Sequence, residues 1–289
     1  MWKFLLMTLT VVALSDSARA GFNCQVPERS PTRPTSVHQL RPEDVDVVGA
    51  IGDSLTAGNG ALAKTPLGLL TEYRGRSWSI GGDKDVSSVV TLPNILREFN
   101  PNIKGFSTQI GKADSSDAHL NRAVPGAFSA DMAKQAKDLV QRMKDSKEIN
   151  FEEDWKVVTM LIGFKDLCDF CNDKKLFSAE NYRDNIQKAL DILHKELPRT
   201  FVNVVTVMDM VPLFSELNKG TICQMLHRYF CKCVTSANND VQTEIQDINH
   251  KYQEVTNELV NSGRYDTRDD FTVVVQPFMQ ELLPTQWFQ

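Results

Sequence analysis

Residues 45–56 read VDVVGAIGDSLT, an apolar run that ends at a small polar turn. The run is rich in β-branched residues and stops at Gly52, a pattern that predicts a buried strand leading into a tight turn. Ligands of α/β sheets tend to bind at the carboxyl ends of the strands. Ser54 would stand there with its hydroxyl exposed and a free backbone N–H beside it, as a nucleophile requires. The alternative is a strand followed by a helix that a serine caps.

Further apolar runs alternate with helical patterns along the chain. Apolar residues recur with helical spacing after Gly126, before Pro198 and before Gly263, and a helix is also expected over residues 92–99. Strands separated by helices favour a parallel sheet that is covered on both faces. The sequence therefore predicts the α/β class, with three layers and a doubly covered five-stranded parallel sheet. The predicted strands are residues 45–52, His119–Val124, Lys156–Ile162, Phe201–Met208 and Phe271–Gln276.

The first 44 residues are predicted to lie outside the folded domain. Residues 1–20 contain a short apolar run and end in an Ala-Arg-Ala cleavage pattern, which is typical of a secretory signal peptide. Residues 21–44 carry four prolines and predict an extended leader over the domain surface. Residues 45–289 are enough for one large α/β domain.

The charge balance excludes some partners. The formal net charge is −5, which argues against a nucleic-acid-binding protein, since such proteins carry a basic stripe. It also gives no general attraction to anionic lipid, so any lipid contact should be apolar and local. No run beyond the signal sequence has the roughly 18 uninterrupted apolar residues of a transmembrane helix.

The sequence resembles a known family in several blocks. The tetrapeptide Gly52-Asp-Ser-Leu resembles the first block of the GDSL or SGNH family of serine esterases and lipases, and residues 121–127, NRAVPGA, resemble the second block. The longer match, from about Gly49 to Phe278, is most like a repeat unit of the membrane-associated phospholipases B. The resemblance implies the flavodoxin-like SGNH-hydrolase fold and acyl-ester cleavage through Ser54.

The same resemblance implies the oxyanion donors, the cofactors, the substrates and the location of the protein. The oxyanion donors would be the backbone N–H groups of Ser54 and Gly126, and the side chain at the position of Lys165. No metal or organic cofactor is implied. The substrates would be phospholipids, lysophospholipids or other acyl esters, with a membrane surface as a further partner. The protein would enter the secretory pathway and act outside the cell, at the apical surface.

Two blocks depart from the family pattern. The third block is expected to read Gly-x-Asn-Asp, whereas the chain has Gly163-Phe-Lys165-Asp, so a long charged side chain replaces a short amide. The family places Asp-x-x-His after the last strand, and its histidine is the base for the serine. No Asp or His follows Phe271.

Two of the five histidines, His119 and His250, are candidates for the missing base. His250 ends an Asp-x-x-His sequence with Asp247, but the helical period places both on the outward face of the helix before the last strand. No histidine follows a strand end in a way that suits a base for Ser54; His119, just before the predicted second strand, is the least unsuitable of them. His194, near a helix carboxyl end, is expected to act as a partner of the helix dipole.

Six cysteines fit a secreted protein with disulfides. The pairing is left open among 15 possibilities. A zinc site built from Cys168, Cys171, Cys231 and Cys233 is the alternative by spacing, and disulfides are favoured over it in an oxidising compartment.

Two functional hypotheses result. The first is a secreted serine ester hydrolase of the phospholipase B, lysophospholipase or lipase type. The second is a truncated, catalytically impaired relative that retains the fold and a lipid-binding cleft, because the base and the usual oxyanion amide are missing. A truncation after the last strand would also expose part of the sheet.

Overall fold

A computed structural model describes residue 26 and residues 31–217, 221–235 and 238–281. Its centre is a sheet of four parallel strands that lie side by side in chain order. Parallel neighbours place all four carboxyl ends at one edge of the sheet. The strands are β1 (Val45–Gly52), β2 (Trp155–Leu161), β3 (Thr200–Val205) and β4 (Phe271–Gln276).

Helices of very different length connect the strands. The longer ones carry the apolar spacing expected from the sequence, whereas the segments around residues 164–169 and 210–235 form short helices that the sequence pattern did not predict. The helices are α1 (Ser54–Ala57), α2 (Leu92–Phe99), α3 (Met132–Asp145), α4 (Phe164–Asp169), α5 (Ala179–Glu196), α6 (Met210–Leu217), α7 (Thr221–Phe230), α8 (Lys232–Thr235), α9 (Asn239–Asn261) and α10 (Phe278–Glu281).

Helices α3, α5 and α9 cover one face of the sheet. Their buried faces form the main hydrophobic core with the strands, and Leu139, Leu190 and Tyr252 are members of it. The rings of Tyr182 and Tyr252 stack at 4.0 Å between centroids, which joins α5 to α9. Burial of these apolar faces is the main stabilising term of the fold.

The opposite face is covered less completely. Helix α2 and the loop around Ile80 pack over β1 and β2 in a second, smaller core. Beyond them, a groove of about 700 Å³ runs over β3 and β4, lined by Val37, Phe201 and Val274 among others. Within the described residues, the second layer therefore covers the β1 side of the sheet and leaves the β4 side partly open.

The prediction of five strands is wrong at the segment His119–Val124. That segment forms an isolated bridge between Asn121 and Ala50 and donates hydrogen bonds from Arg122 and Val124 to β1, beside a similar bridge between Lys104 and Val47. Positive φ angles of 90° at Gly105 and 45° at His119 mark where the extended backbone beside β1 stops and resumes, so the pieces around Lys104 and Asn121 do not form one continuous ladder. The segment runs along β1 without becoming a strand of the sheet.

The residues before the domain are described only in part. The signal peptide predicted for residues 1–20 lies outside the described residues, as do residues 21–25 and 27–30 of the leader. The leader from residue 31 onward lies against the amino ends of the strands: the indole N–H of Trp155 donates to the Pro34 carbonyl at 3.1 Å, and Arg33 pairs with Asp46 at 3.1 Å.

Two disulfides join α4 and the second residue after it to the segment that contains α8. They connect Cys168 to Cys231 and Cys171 to Cys233, so the zinc alternative for these four cysteines is wrong. Cys24 and the side chain of Cys223 lie outside the described residues. Among the helices that the structure describes, none has both the length and the hydropathy needed to span a bilayer.

Candidate active site

Strand β1 ends in a turn that is fixed from both sides. The N–H of Gly52 donates to Oε1 of Gln135 at 2.8 Å, and Nε2 of the same side chain donates to the Gly52 carbonyl at 2.9 Å. Asp53 then caps α1, because its Oδ1 accepts the N–H of Leu55 at 2.9 Å. The turn that carries Ser54 is thus held by α3 and by its own cap.

Ser54 is the first residue of α1 and is partly exposed. A first helical residue has no intrahelical acceptor for its N–H. The Ser54 N–H donates to no other residue in the described part of the chain. A hydroxyl and a free N–H therefore stand together at the carboxyl edge of the sheet, as predicted from the motif.

Gly52 has no room for a side chain. A Cβ there would lie 2.5 Å from the Leu161 carbonyl oxygen and 2.7 Å from Thr56 Oγ1, at a φ of +155°. We expect Gly52→Ala to lower the free energy of unfolding by about 3 kcal/mol, as overpacked buried sites do. Urea unfolding measures it. Gly263→Ala is the matched control, since its φ is also positive but its Cβ would meet nothing within 4 Å. Equal losses in the two variants would contradict the steric explanation.

The segment of the second block lies directly beside this turn. The N–H of Val124 donates to the Gly52 carbonyl at 3.1 Å, and the Asn121 amide donates to the Thr56 carbonyl at 3.0 Å. Gly126 follows in an exposed turn with a φ of +78°, and its N–H donates to none of the described residues. The structure thus brings the segment of Gly126 to the segment of Ser54.

The buried guanidinium of Arg74 braces the second-block segment from behind. It donates to the carbonyls of Asn121 and Ala123 at 2.9 and 2.8 Å and pairs with Glu72 at 2.6 Å. Burial lowers the Arg74 pKa from its usual value, while Glu72 acts in the opposite direction. A buried cation with several carbonyl acceptors fixes the loop, because breaking one contact leaves charge unsatisfied.

The third block lies at the beginning of α4, after β2. Lys165 pairs through Nζ with Asp169 Oδ2 at 2.6 Å, and the same ammonium lies 5.6 Å from the centroid of the Phe128 ring. The Lys165 ammonium, which stands where the third block is expected to have an asparagine amide, is therefore paired with Asp169 of the same helix. The i, i+4 spacing of Lys165 and Asp169 is a signal of this pair that sequence analysis left unused.

Asp166 joins the third block to the second. Its carboxylate accepts the Ser129 N–H at 2.9 Å and the Ser129 hydroxyl at 2.6 Å, and that hydroxyl also accepts from the Asn185 amide at 3.1 Å. Asp166 is buried, and burial raises its pKa although the bonds from Ser129 lower it. Sequence analysis did not identify this residue, because its partner is 37 positions away.

Asp53 is the second buried carboxyl of the site. Burial, with a smaller contribution from the charge of Asp166, raises its pKa to about 7, while the bond from Leu55 lowers it. Its Oδ2 is buried and accepts no hydrogen bond from the described residues. The charge of Asp166 therefore adds to burial in favouring the protonated form of Asp53.

The two histidines considered as substitutes for the base, His119 and His250, lie in different surroundings. His119 lines a cavity of about 400 Å³ with Lys104 and Arg142. Lys104 is level with Val47, five residues before Gly52, which corresponds to about 16 Å along the strand. The cavity that His119 lines is thus nearer the amino end of β1, whereas Ser54 follows its carboxyl end. The role of His119 as a substitute base stays a prediction.

His250 is exposed on α9, as the helical period predicts, and its Nε2 lies 3.4 Å from Asp209 Oδ2. Asp209 follows β3 at the same edge of the sheet as Ser54. Sequence analysis missed this carboxyl because it is 41 residues from His250. Asp247 is exposed on the same helix.

The other histidines have different surroundings. The pKa of His227 is lowered by burial, and its ring packs edge-on against Phe214 at 5.1 Å. His194, near the carboxyl end of α5, lies 3.0 Å from the Thr267 hydroxyl.

Comparison with known proteins gives consistent matches. A family model described as GDSL-like Lipase/Acylhydrolase matches residues 48–289. Membrane-associated phospholipase B1 of Homo sapiens is 53% identical over 91% of this chain, and its counterpart in Rattus norvegicus is 50% identical over 91%. The Mus musculus protein is 51% identical over 90%. The chain spans about a fifth of the length of these relatives, 18–19%.

Proposed function

Because this chain belongs to the GDSL-like lipase/acylhydrolase family, we propose that it cleaves acyl esters of phospholipids or lysophospholipids through Ser54. The observation that carries the proposal is the position of Ser54 at the first residue of α1, directly after β1. The N–H of Ser54 and the N–H of Gly126, in the adjoining segment, donate to none of the described residues. A hydroxyl with free donors in its own and the adjoining segment suits acyl transfer, in which negative charge develops on the carbonyl oxygen.

The proposed reaction begins with attack of Ser54 Oγ on the ester carbonyl carbon. The hydroxyl proton leaves to a base, and the carbonyl oxygen gains negative charge that the N–H groups of Ser54 and Gly126 stabilise. Loss of the alcohol gives an acyl-serine, which water then hydrolyses. Asp166 contributes by holding Ser129 and hence the segment of Gly126 in place. No base is assigned; His250, paired with Asp209, is the histidine to substitute first.

Reaction of the full chain with a fluorophosphonate probe tests the proposal. We expect labelling of the wild type, none of Ser54→Ala, and unchanged labelling of Ser87→Ala, since Ser87 is an exposed serine elsewhere. Labelling that persists in Ser54→Ala would overturn the role of Ser54. A folded wild type that is not labelled would favour the second candidate function, a non-catalytic relative. The observation that supports this second candidate is the ion pair of Lys165 with Asp169 at the position of an oxyanion donor.

Replacement of the third-block lysine provides a sharper prediction. We expect Lys165→Asn to raise the labelling rate of Ser54 by about tenfold or more, because a short neutral amide replaces a cation that is held by Asp169, and one oxyanion donor is typically worth ~10²–10³ in turnover. The lost ion pair is partly exposed and of little value to stability. Lys165→Ala is the control, since it breaks the pair without adding an amide. Equal rates in the two variants would contradict the prediction.

The location of the protein is part of the proposal. Two disulfides are typical of oxidising compartments, which supports secretion to the outside of the cell. The relatives' description as membrane-associated supports a lipid surface as a partner, with the apical surface as the finer expectation.

A further inference from the structure

A loop rich in leucine begins six residues after Ser54. We define the leucine loop as residues 60–71, GALAKTPLGLLT. Its base is fixed to α1, because the N–H of Asn59 donates to the Ser54 carbonyl at 2.9 Å and the N–H of Gly60 donates to the Thr71 carbonyl at 3.0 Å. The loop therefore projects from the element that holds the candidate nucleophile.

The tip of the leucine loop exposes apolar side chains. Leu67 is 81% exposed and Leu70 is 65% exposed, and no residue of the 3₁₀ helix Pro66–Leu70 is buried. Leu62 is also exposed. Scattered single leucines on a surface need no explanation, but a group of them on one projecting loop indicates a contact with another apolar phase.

Local hydrogen bonds satisfy part of the backbone of the leucine loop. The N–H of Ala63 donates to the Gly60 carbonyl at 2.9 Å, and the N–H of Gly68 donates to the Thr65 carbonyl at 3.0 Å. Leu69 packs back onto Gly60, whose Cβ would meet its side chain at 3.0 Å. Local bonds that satisfy polar groups reduce the cost of placing a loop among lipid chains.

The charge of the leucine loop differs from that of the whole chain. The formal net charge of the protein is −5, but Lys64 is the single charged residue between Ala57 and Glu72. Lys64 is exposed and forms no ion pair with the residues that the structure describes. A cation beside exposed leucines complements the phosphate groups of a phospholipid surface, where the chain enters the apolar layer and the ammonium remains at the headgroups.

We infer that the leucine loop is the element that docks this domain on a phospholipid surface and places the Ser54 edge of the sheet over its substrate. The inference rests on the proposed function, since it assigns the lipid surface to the same site. It commits to lipid rather than to a protein partner because the apolar tip is small and is accompanied by the exposed cation of Lys64.

Vesicle binding tests the inference independently of catalysis. The protein is used in the Ser54→Ala background, so hydrolysis does not alter the vesicles, and co-flotation with phosphatidylcholine vesicles is compared with and without a fraction of anionic lipid. We expect Leu67→Asp/Leu70→Asp to weaken binding by about tenfold or more, because acidic residues are strongly disfavoured in the apolar layer. We expect Lys64→Ala to weaken binding mainly to the anionic vesicles.

The control for this test is Val90→Asp, which makes the same kind of change at a single 73% exposed valine outside the loop. It should bind as the parent protein does. Leu67→Ser/Leu70→Ser, a milder pair, should also weaken binding, and a circular dichroism spectrum confirms folding. Equal binding by the parent and both loop variants, no binding by the parent, or a parent dimer that the loop variants convert to a monomer would each overturn the inference. Failure of probe labelling would affect only the proposed function.

Discussion

Removal of both disulfides is expected to cost more than the sum of the two single removals. In the chain-entropy model, a loop of about 63 residues is worth roughly 4 kcal/mol. Either bridge alone closes nearly the same loop, so removal of one opens only a ring of about seven residues, worth roughly 2 kcal/mol. We expect each single removal to cost about 2 kcal/mol and the double removal about 6 kcal/mol.

Urea unfolding of three variants measures this difference. Cys168→Ala/Cys231→Ala removes one bridge, Cys171→Ala/Cys233→Ala removes the other, and the fourfold variant removes both. Alanine replaces each cysteine because it is small and apolar, and Cys168, Cys231 and Cys233 are buried. Typical domains have 5–15 kcal/mol of stability, so the fourfold variant is expected to be marginal or unfolded. Additive losses would contradict the shared-loop explanation.

The free energy of unfolding should depend on pH through Asp53. Its carboxyl keeps its proton in the folded protein up to pH about 7, whereas the ordinary value is 3.8. Between these values the folded state binds more protons than the unfolded state, so stability falls as the pH rises from about 4 to 7 and levels off above 7. A shift of this size corresponds to about 4 kcal/mol.

Asp53→Asn should remove most of this dependence. Asparagine is also a good N-cap, and its oxygen can accept the N–H of Leu55. We expect the variant to match the wild type near pH 4 and to exceed it by up to about 4 kcal/mol at pH 8. Asp166 retains a dependence of the same sign, because its pKa is also raised. Denaturant unfolding at several pH values measures the effect.

Asp85→Asn is the control for the pH series. Ser87 and Ser88 hold the Asp85 pKa below its usual value, so its titration lies below the window of Asp53. We expect the slope between pH 4 and 7 to be unchanged in this variant. A wild type whose stability is constant across that window would contradict the assignment of a raised Asp53 pKa.

The regular elements of this fold could be predicted because their signals are local. Apolar runs of β-branched residues gave the four strands, and apolar spacing gave α3, α5 and α9. The segment His119–Val124 looks like a strand by composition, but the backbone at Gly105 and His119 prevents one continuous ladder. Composition does not reveal such a break, since only a few per cent of residues other than glycine adopt positive φ.

The parts of the site that were missed depend on distant contacts. Ser54 and Gly126 lie in turns that a short motif specifies, and the structure brings their segments together. The bonds from Ser129 to Asp166, and the approach of His250 to Asp209, join residues 37 and 41 positions apart. Only the folded arrangement of β2, β3 and α9 creates those pairs. Lys165 and Asp169 are the exception, since their spacing is local.

The common direction of the four strands sets how the molecule would stand on a lipid layer. With the leucine loop in contact, every strand would run toward the lipid, and the leader would lie at the far end. Strand β1 has eight residues, which span about 26 Å. A fluorophore near Arg33 should therefore remain roughly that far above the lipid plane, a height that energy transfer to labelled headgroups can measure. The length of the strands would thus set the distance between the leader and the lipid surface.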